Sequence, residues 1–325
     1  MNTEPTLSVV IPCYDEEAVI AQFLKQIRST LNPLHIEYEL VFVNDGSSDA
    51  TLDILLGERA HDDRIKVIDL SRNFGKEAAL TAAIAHSRGK AVVPIDADLQ
   101  EPPRLIPIML KKWEEGYDMV TARRSSRKTD GLLKRSTARM FYRLFNWVSP
   151  TKIPYDTGDY RLLDRKVVDA FMLLPERKRF MKGIFAWLGF KQFEITFKRD
   201  ERAAGTSKFS AWRLWRFATS SIFIFSVAPL RIWTYVGAIV SSFSFIYATA
   251  LILRTLIWGR DAPGYASIMV VLLFLGGIQL IGMGVLGEYL GHIYEEVKKR
   301  PLYLVRSKYG IDSNEESRFQ NPKSF

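Results

Sequence analysis

Apolar and polar positions follow two rhythms along the first part of the chain. Runs rich in branched apolar residues lie at 7–12, 39–44, 65–70 and 91–95, with the length and bounding Gly, Pro and Asp residues of buried strands. Between them, residues 18–31, a segment starting near Thr51, and residues 77–87 carry the period of helices. Asp15, Glu16 and Glu17 fall in the opening turn of the first, where the helix dipole favours them, and Ser48 or Asp49 can cap the second. A helix over 107–115 and a strand over 117–123 continue the series. Strands alternating with helices predict an α/β fold with a mostly parallel sheet, and in such sheets ligands gather beyond the carboxyl ends of the strands.

The rhythm stops near residue 225. Residues 232–253 and 262–287 contain no charged side chain, and each run is long enough to cross a hydrocarbon core of about 30 Å. Ahead of them, Trp212, Trp215, Phe217, Ile222, Phe223 and Phe225 are interleaved with Lys208, Arg213 and Arg216, the mixture of a helix lying in a membrane interface. Pro229 separates that helix from the first span. The expected division is a catalytic domain over 1–208, juxtamembrane amphipathic helices over 209–228, a two-helix hairpin over 229–293 and a tail over 294–325, with a short strand at 301–305.

Charge fixes the expected orientation. Lys298, Lys299, Arg300, Arg306 and Lys308 follow the second span, whereas the hairpin holds only Arg254, Arg260 and Asp261, so both termini are expected in the cytoplasm of a multi-pass plasma (inner) membrane protein. Residues 6–12 are too short for a signal-peptide core, so no leader is expected. The net charge of +9 raises nucleic acid as a partner, but basic residues near the spans favour anionic headgroups, and no nucleic acid is expected. A lone cysteine, Cys13, excludes an internal disulfide. His35, His61, His86 and His292 have no spacing suited to zinc, and no internal repeat is found.

The candidate chemistry sits where the strands end. Asp96 and Asp98, one residue apart at a strand exit, point the same way in extended chain and can address one hard cation such as Mg²⁺ or Mn²⁺. The same pair also suits a solvated turn, and Pro94 argues against a central strand. Asp45 and Lys76 fall at neighbouring strand ends, so the topology brings them toward Asp96 and Asp98. Arg123 opens a basic stretch running through Arg139 and Arg143, which fits either a solvated helix face or a phosphate-binding surface.

The motifs Val9-Val10-Ile11-Pro12-x-Tyr14-x-Glu16, Asn44-Asp45-Gly46-Ser47-x-Asp49, Asn73-x-Gly75-Lys76 and Asp96-Ala97-Asp98-Leu99-Gln100-x-Pro102 together resemble the family 2 glycosyltransferases of GT-A fold. Within them the match is to polyprenyl-phosphate hexose synthases, the bactoprenol glucosyltransferase and dolichyl-phosphate mannose synthase type, and it covers nearly the whole chain. The resemblance implies that Pro12, Tyr14, Glu16, Asp45 and Ser47 border the nucleotide, with Asp45 accepting from the base N–H. It implies Lys76 on the base or diphosphate side, Asp98 as direct metal ligand, Asp96 with Ala97 on the ribose or a metal water, and Gln100 toward metal or sugar. Arg123 and Arg139 would hold the acceptor phosphate, and Arg202, Ser207 and Lys208 would form a loop over phosphate or leaving group.

Asp156 and Asp159 resemble the family's acidic turn below the sugar; either could be the general base, and the bacterial pattern favours Asp159. A base is not obligatory, because a phosphate monoester with a second pKa of about 6 is already dianionic at neutral pH. The implied reaction is inverting transfer of a hexose, glucose from UDP-glucose, to a polyprenyl phosphate of the undecaprenyl type, by a homo-oligomer that the family makes a tetramer. The rival readings are another sugar, mannose from GDP-mannose or 4-deoxy-4-formamido-arabinose, and a non-catalytic nucleotide-binding accessory protein.

Overall fold

The computed structural model describes residues 4–124, 157–177, 179–197, 227–258 and 264–311. One compact unit is built on β1 (Leu7–Cys13), β2 (Tyr38–Asn44), β3 (Ile65–Leu70), β4 (Ala91–Pro94), β5 (Met119–Arg124), β6 (Thr157–Asp164), β7 (Gln192–Phe197) and β8 (Val305–Tyr309). They form one eight-stranded sheet in the order β7-β5-β6-β4-β1-β2-β3-β8. β1 pairs in parallel with β2 and β4, and β2 with β3, as the βαβ rhythm requires. The sheet is mixed: β6 runs antiparallel to both β4 and β5, and β8 antiparallel to β3.

The helices of this unit are α1 (Ile20–Leu31), α2 (Thr51–Arg59), α3 (Lys76–Ala85), α4 (Ile106–Glu114), α5 (Arg165–Met172) and α6 (Met181–Leu188). α1 buries Ile20, Phe23, Leu24, Ile27 and Leu31, spaced three or four apart as one helical face demands. Phe23 meets Phe42 of β2 edge to face at 6.2 Å between ring centres. Every residue of β2 is buried, which explains the apolar run from Leu40 to Val43, while the buried Glu39 and Asn44 are bonded to Ser8 and Asp69.

Four expectations shift. The acidic residues ahead of α1 lie before it in a turn rather than in its first turn, because they are bonded to the loop after β2: Asp15 Oδ1 accepts from the Ser48 amide at 2.9 Å and Glu17 Oε2 from the Ala50 amide at 3.0 Å. Asp159 lies within strand β6 rather than on a turn. The tail strand is β8, four residues later than expected, and it completes the sheet instead of standing apart. Pro94, which argued against a central strand, closes the pairing of β4 with β1 opposite Val10, where its missing N–H is tolerated.

A second unit holds α7 (Ala228–Trp258) and α8 (Tyr265–Val297). Both are long and apolar enough to cross a membrane over 230–254 and 270–297, at mean hydropathies of 2.0 and 2.2. Gly282 of α8 leaves no room for a Cβ beside the Trp233 ring of α7, so the two helices pack closely there.

Candidate active site

The loops that leave β1, β2 and β3 are locked together by side chains bonding backbone. Asp15, in the left-handed region at φ 53°, donates its amide to Ser47 Oγ at 3.0 Å, and the Glu16 amide donates to Thr51 Oγ1 at 2.8 Å. Asp45, 3% exposed, accepts from the Phe74 amide at 2.7 Å and from the Gly75 amide at 2.9 Å, one on each carboxylate oxygen. Burial pushes its pKa up and the two amides draw it partly back. Gly46, at φ 67°, lies against the backbone of Arg72 and Asn73, where a Cβ would come within 2.5 Å of the Arg72 carbonyl carbon. Asp45 is thus first of all a clamp on the loop before α3. Of the other residues expected near the nucleotide, Pro12, Glu16 and Ser47 are partly buried, and Tyr14 stands 41% exposed on the lip.

The carboxylates meet on the β4 and β6 side. Lys76 Nζ, from the first turn of α3, lies 2.7 Å from Asp96 Oδ2 and 3.5 Å from Asp159 Oδ2, so one ammonium joins the exit of β4 to the start of β6. Desolvation opposes its charge, but Asp96, Asp159 and Glu101 outweigh that and raise its pKa above the usual lysine value. Burial likewise opposes ionisation of Asp159, yet Lys76, Lys182 and Arg161 hold its pKa below the usual carboxylate range. Beyond Asp96 the chain turns through Leu99, at φ 59°, and the Gln100 amide donates to Asp98 Oδ1 at 3.1 Å. Ala97 and Gln100 are buried beneath this turn, so Gln100 belongs to the packed side of the site.

Glu101, Glu77, Arg161 and Lys182 complete the cluster and are absent from the sequence expectations. Glu101 Oε2 accepts from the Asp96 amide at 3.3 Å, and burial with the nearby charges of Asp96 and Asp159 pushes its pKa up to about 8. Burial and Asp159 push Glu77 up to about 8 as well, and Glu77 Oε2 has no hydrogen-bond partner among the described residues. Arg161, 4% exposed, donates to the Gly158 carbonyl at 2.7 Å and lies over the Phe185 ring. The signal for Arg161 was its place two residues after Asp159, which in a strand means the same face; for Glu101 it was a further carboxylate in the segment that carries Asp96 and Asp98.

Arg123 stands at the end of β5 opposite Thr157, two residues before Asp159 in β6, and pairs with Glu194 of β7 at 3.3 Å. Asp156, Arg139, Arg202, Ser207 and Lys208 lie outside the described residues, as does the expected interfacial helix over 209–225. Among the described residues, no group of three or more His, Cys, Asp or Glu side chains forms a metal cage. Asp96 and Asp98 supply at most a partial shell, the type that Mg²⁺ completes with water and phosphate oxygens.

A mostly parallel sheet with paired acids and a lysine at its strand ends defines a nucleotide-type α/β transferase site. The chain belongs to glycosyl transferase family 2, whose domain matches residues 8–171, and the segment over 228–293 matches the GtrB C-terminal hairpin. It is an enzyme of GT-A type, as the sequence resemblance implied. Its relatives include an uncharacterized glycosyltransferase of Synechocystis sp., 53% identical over 94% of this chain and 96% of that protein. The prophage-derived bactoprenol glucosyl transferase of Shigella flexneri is 48% identical over 93% of this chain and 98% of its own length. A prophage bactoprenol glucosyl transferase homolog of Escherichia coli is 49% identical over 92% and 98%.

Proposed function

We propose that this enzyme transfers glucose from UDP-glucose to the phosphate of a membrane polyprenyl phosphate, with inversion. The observation that carries the reading is the Lys76 bridge between Asp96 and Asp159, a cation fixed among carboxylates where a diphosphate sugar must lie. Relatives named as bactoprenol glucosyl transferases support the lipid acceptor, since their likeness spans the apolar hairpin as well as the catalytic sheet. The reading places α7 and α8 across the plasma membrane with the sheet in the cytoplasm, following the bias of basic residues after α8.

The reaction needs no proton acceptor. The acceptor phosphate oxygen attacks the anomeric carbon, the carbon–oxygen bond to the diphosphate breaks from the opposite face, and the electron pair leaves with UDP. A phosphate monoester is largely dianionic at neutral pH because its second pKa is about 6. Asp159, with a depressed pKa and an ion pair to Lys76, is therefore a weak base and a good orienting group. Lys76 holds the end of β4 and the start of β6 at a set distance and presents positive charge toward the departing diphosphate.

The site fits a divalent ion of the Mg²⁺ or Mn²⁺ class. Four carboxyl groups, Asp96, Asp159, Glu101 and Glu77, crowd near Lys76, and a bound cation would offset their mutual repulsion. Asp98 and Asp96 would hold it, with Asp98 Oδ1 already oriented by the Gln100 amide. When bound, such an ion supplies charge neutralisation on the leaving diphosphate.

The test is a panel of nucleotide sugars offered to the purified full chain with polyprenyl phosphate and Mg²⁺, read as lipid-linked sugar. Glucose from UDP-glucose is expected to dominate. Product from GDP-mannose or a formamido-arabinose donor alone would move the reading to that sugar, and no lipid product from any donor would favour a binding protein without turnover.

A further inference from the structure

We infer that Arg306, on the strand that follows the second apolar helix, is a positioning residue for the nucleotide loop; this rests on the proposed use of UDP-glucose and on the resemblance that sets its nucleotide at the Asp45 loop. Residues 298–304 are all that separate α8 from β8, so the chain that leaves the apolar hairpin supplies an edge strand of the catalytic sheet. The pairing of β8 with β3 shifts register between Asp69 and Leu70: Asp69 faces Ser307 and Leu70 faces Val305. Arg306 is therefore the extra residue of a bulge, a feature that re-aims a side chain.

That side chain reaches the base of the nucleotide loop. Its Nη1 donates to Asp69 Oδ2 at 3.3 Å and its Nη2 to the Ser71 carbonyl at 2.7 Å. The Ser71 amide donates in turn to the Leu304 carbonyl at 2.9 Å. Ser71 is thus gripped on both backbone groups by the returning segment, at the start of the loop whose other end Asp45 clamps through Phe74 and Gly75.

A second line leads from the same guanidinium into the β2 loop. Asp69, 2% exposed, accepts from Asn44 Nδ2 at 2.8 Å, and Asn44 Oδ1 accepts from the Ser47 amide at 3.2 Å. Arg306, Asp69, Asn44 and Ser47 form one chain of hydrogen bonds from the sheet edge to the loop that carries Asp45 and Gly46. A buried carboxylate without its cation would re-orient or recruit water, and Asn44 and Ser47 would lose their fixed geometry. The partners of Arg306 among the described residues are Asp69 and Ser71, and it acts through them.

The experiment measures UDP binding by calorimetry and the KM and kcat for the nucleotide sugar, on the full chain in detergent, with thermal midpoints recorded for each variant. Arg306→Ala is expected to weaken UDP about tenfold and raise KM by a similar factor, with kcat within about twofold of wild type. Arg306→Lys should recover part of the loss. Arg306→Gln, which keeps a neutral donor, should weaken UDP about threefold and serves if the alanine variant does not fold. Tyr309→Ala, which loosens β8 against the core without removing the guanidinium, should lower the midpoint and leave UDP affinity unchanged. Unchanged UDP affinity in Arg306→Ala or Arg306→Gln, or an equal loss in Tyr309→Ala, overturns the inference while leaving the nucleotide reading standing. A wild-type chain that binds no UDP defeats that reading, and this inference with it.

Discussion

On one side of β1, the loops after β2 and β3 are held by side chains that accept from backbone amides: Asp15 from Ser48, Asp45 from Phe74 and Gly75, Asn44 from Ser47. On the other side, the exit of β4 and the start of β6 bring Asp96, Glu101, Asp159 and Arg161 together around Lys76 of α3 in mutual electrostatic contact. The first flank uses backbone amides to fix a shape, which suits a nucleotide recognised by its edges. The second concentrates opposing charges, which suits a step in which negative charge moves from acceptor to leaving group. Shape tolerates loss of one bond more readily than a charge cluster tolerates loss of the cation that bridges Asp96 and Asp159.

Substitutions can break that contrast. Lys76→Met should have the largest effect, lowering turnover about 100-fold or more in the lipid-product assay, because it leaves Asp96 and Asp159 facing each other without the ammonium. A loss under about fivefold would mean the charged flank is not the reacting one. Asp45→Asn should act on the other flank: one amide of Phe74 or Gly75 loses its acceptor, stability to urea falls by about 1–2 kcal/mol, and the KM for nucleotide sugar rises more than kcat falls. Equal losses in kcat would erase the distinction between the flanks.

Glu101→Gln sharpens the contrast through pH. The native pKa of Glu101 is pushed up to about 8 from an ordinary value of about 4.3, so the folded chain binds this proton more tightly than the unfolded one. The stability it contributes is present in acid and declines as pH rises through that interval. In urea titrations without added metal, the glutamine variant should therefore gain on wild type between pH 5 and pH 8, and parallel curves would remove Glu101 from the cluster. Asp62→Asn is the smallest change and a control remote from both flanks. Arg64 and Arg28 hold Asp62 below the usual carboxylate range against the opposing effect of burial, so its contribution is present at neutral pH and lost as pH falls through the acid range. A loss of about 1 kcal/mol at pH 7 that vanishes in acid, with unchanged turnover, is expected.

The parallel half of the sheet was legible because each strand is a short, mainly apolar run, and α1 between β1 and β2 shows its helical period. The Asp96, Asp98 and Lys76 positions were legible for the same reason, since they sit where runs stop. What the residues did not reveal was the far partner of each charge. Arg161 and Glu101 look like ordinary polar residues until β6 is laid antiparallel beside β4, and that pairing joins residues about 70 apart in sequence. β8 was displaced for a related reason: its residues, Val305 to Tyr309, alternate weakly and become a strand only through the edge of β3.

The most direct test is the anomeric configuration of the lipid product made from UDP-glucose, read by NMR after mass spectrometry has confirmed a single hexose on polyprenyl phosphate. The α-linked donor should give a β-linked glucosyl phosphate lipid in one displacement. An α-linked product, or release of free glucose with the lipid phosphate untouched, would contradict it.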